Sequence, residues 1–408
     1  MNPSTPRRCA NWFQTYRDYI LPRTDAPESF IFWSGIFTIA STLRRRVFVG
    51  KKNLGLWSCY PNMYLMFVGP PGMRKTTAID FGARELLSQM PSLHEGPDLF
   101  TKEAILEEMQ SSGDGSIYLT VGEFSDIFQK SGKDRGGMYE FLTAMFDMKK
   151  QMSARTKSSG NVFVEKPVLN FFSATTPGWI TDNMPEAVIS GGYASRCIWV
   201  YEENLRIKKS LYDDVTGDFA ELEKNLLADL LRISNLEGEF EITPETKEAI
   251  NAWVMDDPPL FLVKNDKLGG YLNRRFKHVL TLAMLHSVAS KDELTLLPED
   301  WFWAVNTIST IEPNLEKIFR GVGKNPYTTE IDKIVAYVKM MNISTGDVVP
   351  MSELLTHFQH VAEPRILKDI MEYAVSSKRL WVRQVEGDYQ FAIPELIEKM
   401  KTKLLSSA

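Results

Sequence analysis

Cysteine and histidine are scarce in this chain, at three and five of 408 residues. Cys9, Cys59 and Cys197 lie far apart, which excludes a disulfide framework or a zinc cluster and fits a reducing compartment. The histidines (His94, His278, His286, His357, His360) are equally scattered. The last two fall on one expected helix, but with no carboxylate or thiol partner they read as a solvated face. Nor is there a long apolar run. Phe30 to Leu43, about 14 residues, falls short of the ~20 a bilayer span needs and reads as a buried helix. The N-terminus lacks the apolar core of a signal peptide, so a cytoplasmic protein with no membrane partner is expected. Excess positive charge is missing too. With 47 basic and 52 acidic residues the net charge is −5, so any nucleic-acid contact must come from local patches. Arg44-Arg45-Arg46 is one such patch, or else a set of arginines favoured by a helix C-terminus. There are no repeats and no low-complexity segment.

What is present is an ordinary globular balance, 44% apolar and 24% charged, at a length that suggests two or three domains. Trp12 to Leu43 reads as two helices, and Val47 to Trp57 as a small β element. Apolar runs at Tyr64–Val68, from Ser116 to the acid Glu123, in Pro167–Pro177 and at the end of Gly191–Tyr201 have the look of buried parallel strands, and helical spacing separates them, with one helix expected over Thr76 to Met90 and a short one over Lys102 to Met109. That alternation predicts an α/β domain with a mainly parallel sheet. Between the second and third runs, Gln151 to Val164 is expected to form an exposed hairpin that carries Arg155 and Lys157. From Tyr212 to about Arg320 the pattern is helical, with helices expected at Phe219–Ile233, Pro244–Met255, Gly270–Ala289 and Pro298–Phe319, and Gly321 to Tyr327 reads as a linker. The tail shows three helices, Glu330–Met341, Val349–Phe358 (capped by Ser352) and Glu363–Ser377. A ribbon turning at Glu386-Gly-Asp follows, and together these describe a winged helix. The expected domains are 1–60, a helical segment packing on the core; 61–204, the sheet domain; 205–322, a helical lid; and 328–400, the winged helix.

The chemistry centres on Gly69-Pro70-Pro71-Gly72-Met73-Arg74-Lys75-Thr76-Thr77, a glycine loop between a strand and a helix. In such a loop backbone N–H groups wrap phosphates, the lysine reaches the outer phosphates and the hydroxyl holds Mg²⁺. Arg74 stands where the standard pattern has glycine. The second strand run ends in Gly122-Glu123, where phosphate-loop ATPases have Asp-Glu. Glu123 would polarise water. The missing aspartate leaves metal binding to Thr76, with Asp126 or Asp147 as compensating acids. The alternative for Glu123 is a solvated strand-end carboxylate, and for Arg196 a surface ion pair.

In order and spacing, Gly69-Pro-Pro-Gly-Met-Arg-Lys-Thr, Val121-Gly-Glu-Phe, Phe172-Ser-Ala-Thr-Thr-Pro and Gly191-Gly-Tyr-Ala-Ser-Arg-Cys resemble AAA+ ATPases. Within them the chain is similar to replicative helicase-like proteins of phages and mobile elements, and more distantly to the minichromosome-maintenance helicases. The resemblance spans about Phe30 to Phe319. It implies ATP and Mg²⁺ as ligands, with Lys75 and Thr76 on the phosphates and metal and Glu123 as the catalytic glutamate. It further implies Thr175 or Thr176 as the polar sensor, Arg196 as an arginine finger and Arg274 or Arg275 as a second sensor. A hairpin around Lys157 would touch DNA, single-stranded or forked. The implied assembly is a hexameric ring in the cytoplasm of a phage-infected or bacterial cell, with replication proteins as partners through the winged helix. Two other functions fit: an ATP-gated initiator or helicase loader that does not unwind, and a winged-helix regulator with a vestigial ATPase core.

Overall fold

The computed structural model describes residues 6–55, 57–97, 101–128, 135–156, 160–190, 192–207, 217–256, 258–322, 328–359, 364–385 and 387–406. The chain divides into two compact units, Met1–Val322 and Gly323–Ala408.

The first unit is mixed α/β. Its centre is a four-stranded, wholly parallel sheet of β1 (Tyr64–Val68), β2 (Ser116–Val121), β5 (Val168–Thr175) and β6 (Cys197–Tyr201), in the order β2-β5-β1-β6. A separate antiparallel hairpin, β3 (Gln151–Thr156) and β4 (Gly160–Glu165), is inserted between β2 and β5. The strands are mainly apolar because both faces are buried, and the polar residues within β2 and β5 are buried with them. Along β1 the side chains alternate: Leu65 and Phe67 join one core, Tyr64, Met66 and Val68 the other. The first core is built against α1 (Trp12–Ile20) and α2 (Glu28–Leu43). There Phe30 stacks on Phe67 at 4.3 Å between centroids, and Phe37 meets Phe172 at 4.9 Å. The second core gathers Phe124, Tyr139, Phe146 and Trp199. The N-terminal helices thus share one core with the sheet.

Several local expectations are corrected. Thr76 to Met90 is not one regular helix. It runs as α-helix at Lys75–Ile79, as a π-turn at Asp80–Arg84, then as a last turn at Glu85–Leu87. A π-turn releases backbone carbonyls from the regular ladder. Here α1 and α2 supply donors, with Tyr16 Oη bonding Gly82 O at 2.5 Å and Ser34 Oγ bonding Ala78 O at 2.9 Å. Gly82 permits the approach, since a Cβ there would lie 2.7 Å from the Ser34 Cβ. Val47 to Trp57 is only briefly extended: Val47–Phe48 pairs in parallel with Gly238–Glu239, and Lys51–Leu54 is helical. Gly270 to Ala289 is broken into Gly269–Leu272 and Arg275–Ser290.

The second unit has helices at Thr328–Thr345, Met351–His357, Pro364–Ser376 and Pro394–Ser406, and an antiparallel sheet in the order Val349–Pro350, Asp388–Ala392, Trp381–Val385. The strand at Val349 and the last helix add to the expected pieces. Ser352 does not cap its helix: the helix starts at Met351 after Pro350, and the Ser352 hydroxyl donates to Asp388 Oδ2 at 3.2 Å. His357 stacks on Tyr337 at 4.0 Å, and His360 lies outside the described residues. Among the described residues no helix is long and apolar enough to cross a membrane.

Candidate nucleotide site

In a parallel sheet the loops at the carboxyl ends of the strands share one edge, and ligands bind in the crevice there. That edge collects Gly69 to Lys75 after β1, Gly122 and Glu123 after β2, and Thr175 and Thr176 at the end of β5. The loop is pinned to its neighbours. Gly69 N–H donates to Thr175 O at 3.3 Å, and a Cβ on Gly69 would stand 2.4 Å from Glu202 O. Pro70, Pro71 and Gly72 form the solvent-facing turn, with Gly72 at φ +83°, while Met73 is buried beneath.

Arg74 has φ +57° and ψ +26°, the left-handed conformation that a glycine adopts freely. The loop therefore keeps the backbone that glycine gives the standard motif, although the residue is not glycine. The Arg74 side chain does not extend toward a phosphate. It forks on Asp25, Nε to Oδ1 at 2.8 Å and Nη2 to Oδ2 at 3.1 Å.

Lys75 is buried and its ammonium donates to Gly69 O at 2.7 Å and Pro70 O at 2.8 Å. Burial lowers its pKa, and the Glu123 carboxylate opposes that. Lys75 is thus folded over its own loop and held by two of its carbonyls. Thr76 is exposed on the first helical turn, with Thr77 half-buried behind it. The end of β2 faces Thr76 directly, as a Cβ on Gly122 would lie 3.3 Å from Thr76 Cγ2 and 3.7 Å from Oγ1. Glu123 is exposed, yet partial desolvation raises its pKa; Lys75 works against the rise and Asp126 adds to it.

Thr175 is buried beside the loop. Thr176 is spent on the backbone, where its Oγ1 accepts from Trp179 N at 3.2 Å and caps the helix Pro177–Asn183.

Arg196 stands at the other edge. Cys197 pairs with Tyr64 and Tyr201 with Val68, so five residue steps, ~17 Å along the strands, separate Arg196 from the edge that carries the glycine loop. Its guanidinium is buried and bidentate on Asp147, Nε to Oδ1 at 3.1 Å and Nη2 to Oδ2 at 2.5 Å, with Nη1 on Gly192 O at 2.6 Å. Asp147 is therefore not a metal-supporting acid near Gly122. Of the two candidate sensor arginines, Arg274 reaches the same carboxylate at 3.5 Å. Arg275 faces away into the core, bidentate on the buried Glu312 at 2.6 and 2.9 Å and over Trp253 at 4.8 Å. Of the two, Arg275 does not lie with Arg196 and Arg274 does. Lys277, three residues on and so on the same helical face, lies beside it; that spacing is the sequence signal for the pair.

The hairpin β3–β4 is formed, with Arg155 on its first strand. Lys157 lies outside the described residues. Among the described residues no group of three or more His, Cys, Asp or Glu could hold a metal by itself, and the three cysteines are free and buried. Compared with models of known protein families and with curated proteins, the sequence matches none.

Proposed function

We propose that this chain is an AAA+ ATPase of the replicative-helicase kind. In this reading it has a phosphate-loop core, a helical lid over 205–322 and a C-terminal winged helix, and it works as a ring on DNA with ATP bound between subunits. The observation that carries the reading is the division of charged groups between the two edges of one sheet. Lys75, Thr76 and Glu123 lie at the carboxyl edge and Arg196 at the opposite one, so a complete site needs two copies.

Lys75 exchanges the carbonyls of Gly69 and Pro70 for the outer phosphates of ATP. The loop backbone, held open by Gly72 and the left-handed Arg74, lies against the phosphates. Thr76 would hold Mg²⁺, with the Glu123 carboxylate at the facing strand end and Asp126 in the helical turn after it. When bound, Mg²⁺ neutralises charge on the transferred phosphoryl group. Glu123 orients water and receives its proton, and its raised pKa suits a base. Arg196 of a second copy stabilises the γ-phosphoryl oxygens, a contribution of roughly 10³–10⁵ in related chemistry. Thr175, against the loop, reports the state of the phosphate to β5.

The test is turnover by Lys75→Ala, by Arg196→Ala and by their mixture. Each variant alone loses hydrolysis. Arg196→Ala still binds ATP, and mixing restores part of the activity because some interfaces then carry both intact groups. Unchanged turnover in Lys75→Ala overturns the ATPase reading, and absence of rescue overturns the shared site.

Gly122 favours a second reading, an ATP-gated initiator or loader that binds DNA and a partner without unwinding. One strand-end acid fewer predicts slow hydrolysis. Strand displacement on a forked substrate separates the two.

A further inference from the structure

Three cations converge on one carboxylate at the amino edge of the sheet. Asp147 is shared by Arg196 and Arg274, at 2.5 and 3.5 Å. Lys277 completes the group. Its ammonium lies 4.0 Å from the Phe146 ring centroid and has no hydrogen-bonding acceptor among the described residues. Burial lowers the pKa of both Lys277 and Arg274; Asp147 offsets this and the neighbouring cations add to it. Lys277 is half-buried, and three positive charges around one negative leave the cluster under-compensated. The geometry is fitted closely: Gly192 accepts the Arg196 guanidinium where a Cβ would stand 2.7 Å from Nη1. His278, packed beside the cluster, is neutral and occupied with Ser195 O.

We propose that this cluster is a phosphate site in which Asp147 is an internal stand-in for the ligand, and that Lys277 is a third cation for the terminal phosphate of ATP held by a second copy of this chain. Carboxylate and phosphate both accept a forked arginine, and a more highly charged phosphate answers the surplus that one carboxylate leaves. Asp147, with its side chain 42% exposed, is placed to be displaced, whereas the Arg196 side chain is 8% exposed and stays. A recessed site suits a compact terminal phosphate better than a continuous nucleic-acid backbone. The nucleotide cannot come from the same chain, because its phosphate loop is on the far edge. In the isolated chain Asp147 parks the cations; in the assembly they are handed to the neighbour's ligand. This rests on the shared-site reading above and adds Lys277 and the latch to it.

The test uses Lys277→Met, Lys277→Arg and Asp147→Asn in the full chain, with thermal unfolding as a fold control. Lys277→Met is expected to bind a fluorescent ATP analogue as the wild type does and to lose kcat by on the order of tenfold to a hundredfold. Lys277→Arg recovers part of the loss, and so does mixing Lys277→Met with Lys75→Ala. Asp147→Asn is expected to lower the protein concentration at which ATP drives assembly, read by sedimentation. If Asp147→Asn fails to fold, the lysine variants still decide. Wild-type kcat in Lys277→Met overturns the proposal. So does a loss confined to DNA binding with kcat intact, which assigns the cluster to nucleic acid. If the wild-type chain neither hydrolyses ATP nor assembles with it, the shared-site reading itself has failed, and the two failures are thereby distinguished.

Discussion

Arg74 holds Asp25 with two hydrogen bonds while its own backbone sits in the left-handed region, φ +57°. Strain and ion pair meet in one residue. The left-handed conformation costs about 1–2 kcal/mol for a residue with a Cβ. The fork offsets part of that, with Arg74 half-exposed and Asp25 at 17%. Arg74→Gly is therefore expected to change stability by less than about 1 kcal/mol, as strain and pair are lost together. Arg74→Val adds β-branched crowding to the left-handed conformation, loses the pair and destabilises by about 1–2 kcal/mol. Urea unfolding measures both, and a large loss in Arg74→Gly would show that the pair, rather than the conformation, holds the loop.

Adjacent arginines on one helix are expected to behave differently. Arg275→Ala leaves Glu312, 1% exposed, with its charge buried and unpaired, a cost of about 3–5 kcal/mol. Arg274→Ala removes a half-buried guanidinium from a carboxylate that Arg196 still holds, and should cost less than about 1 kcal/mol while lowering ATP turnover. The same unfolding curves with a turnover assay decide. Equal stability losses would place both arginines in the core.

His278 makes stability depend on pH. Burial holds its pKa down at about 4 from 6.5; the hydrogen bond to Ser195 O opposes this, and Lys277 and Arg274 add to it. The folded pKa lies below the unfolded one, so the unfolded state binds the extra proton. The contribution is complete above pH about 6.5 and is lost as pH falls toward 4. Between pH 7 and 4.5 the urea midpoint should fall. His278→Asn should flatten that part of the slope, and an unchanged slope would assign the loss to other groups.

Gly122→Asp tests the metal side. Its carboxylate would enter beside Thr76, where the Cβ alone already comes within 3.3 Å. The Mg²⁺ concentration that supports nucleotide binding should fall by about tenfold. Titration of bound fluorescent nucleotide with Mg²⁺ gives the value, and no change would mean that the ion does not lie beside Thr76.

Local chemistry was enough to read much of this from the sequence. Tyr64–Val68 is apolar at every position, which only a strand buried on both faces requires, and Gly69 to Thr76 announces a turn before a helix. The same local rules mistook Thr76 to Met90 for one helix. The π-turn at Asp80–Arg84 is stabilised by Tyr16 and Ser34, residues more than 40 positions away that no helical period can register.

What the sequence determined by itself is the strands of the central sheet, the loop with its lysine and hydroxyl, and the presence of acids and arginines at strand ends, because spacing and residue type act over a few neighbours. The tertiary structure alone decided which of these groups meet. Arg74 turns to Asp25, Arg275 to Glu312, and Arg196 and Arg274 to Asp147, since a charge pair depends on distance through space. It also put Lys75 and Arg196 at opposite edges of one sheet, as the parallel register of β1 with β6 dictates.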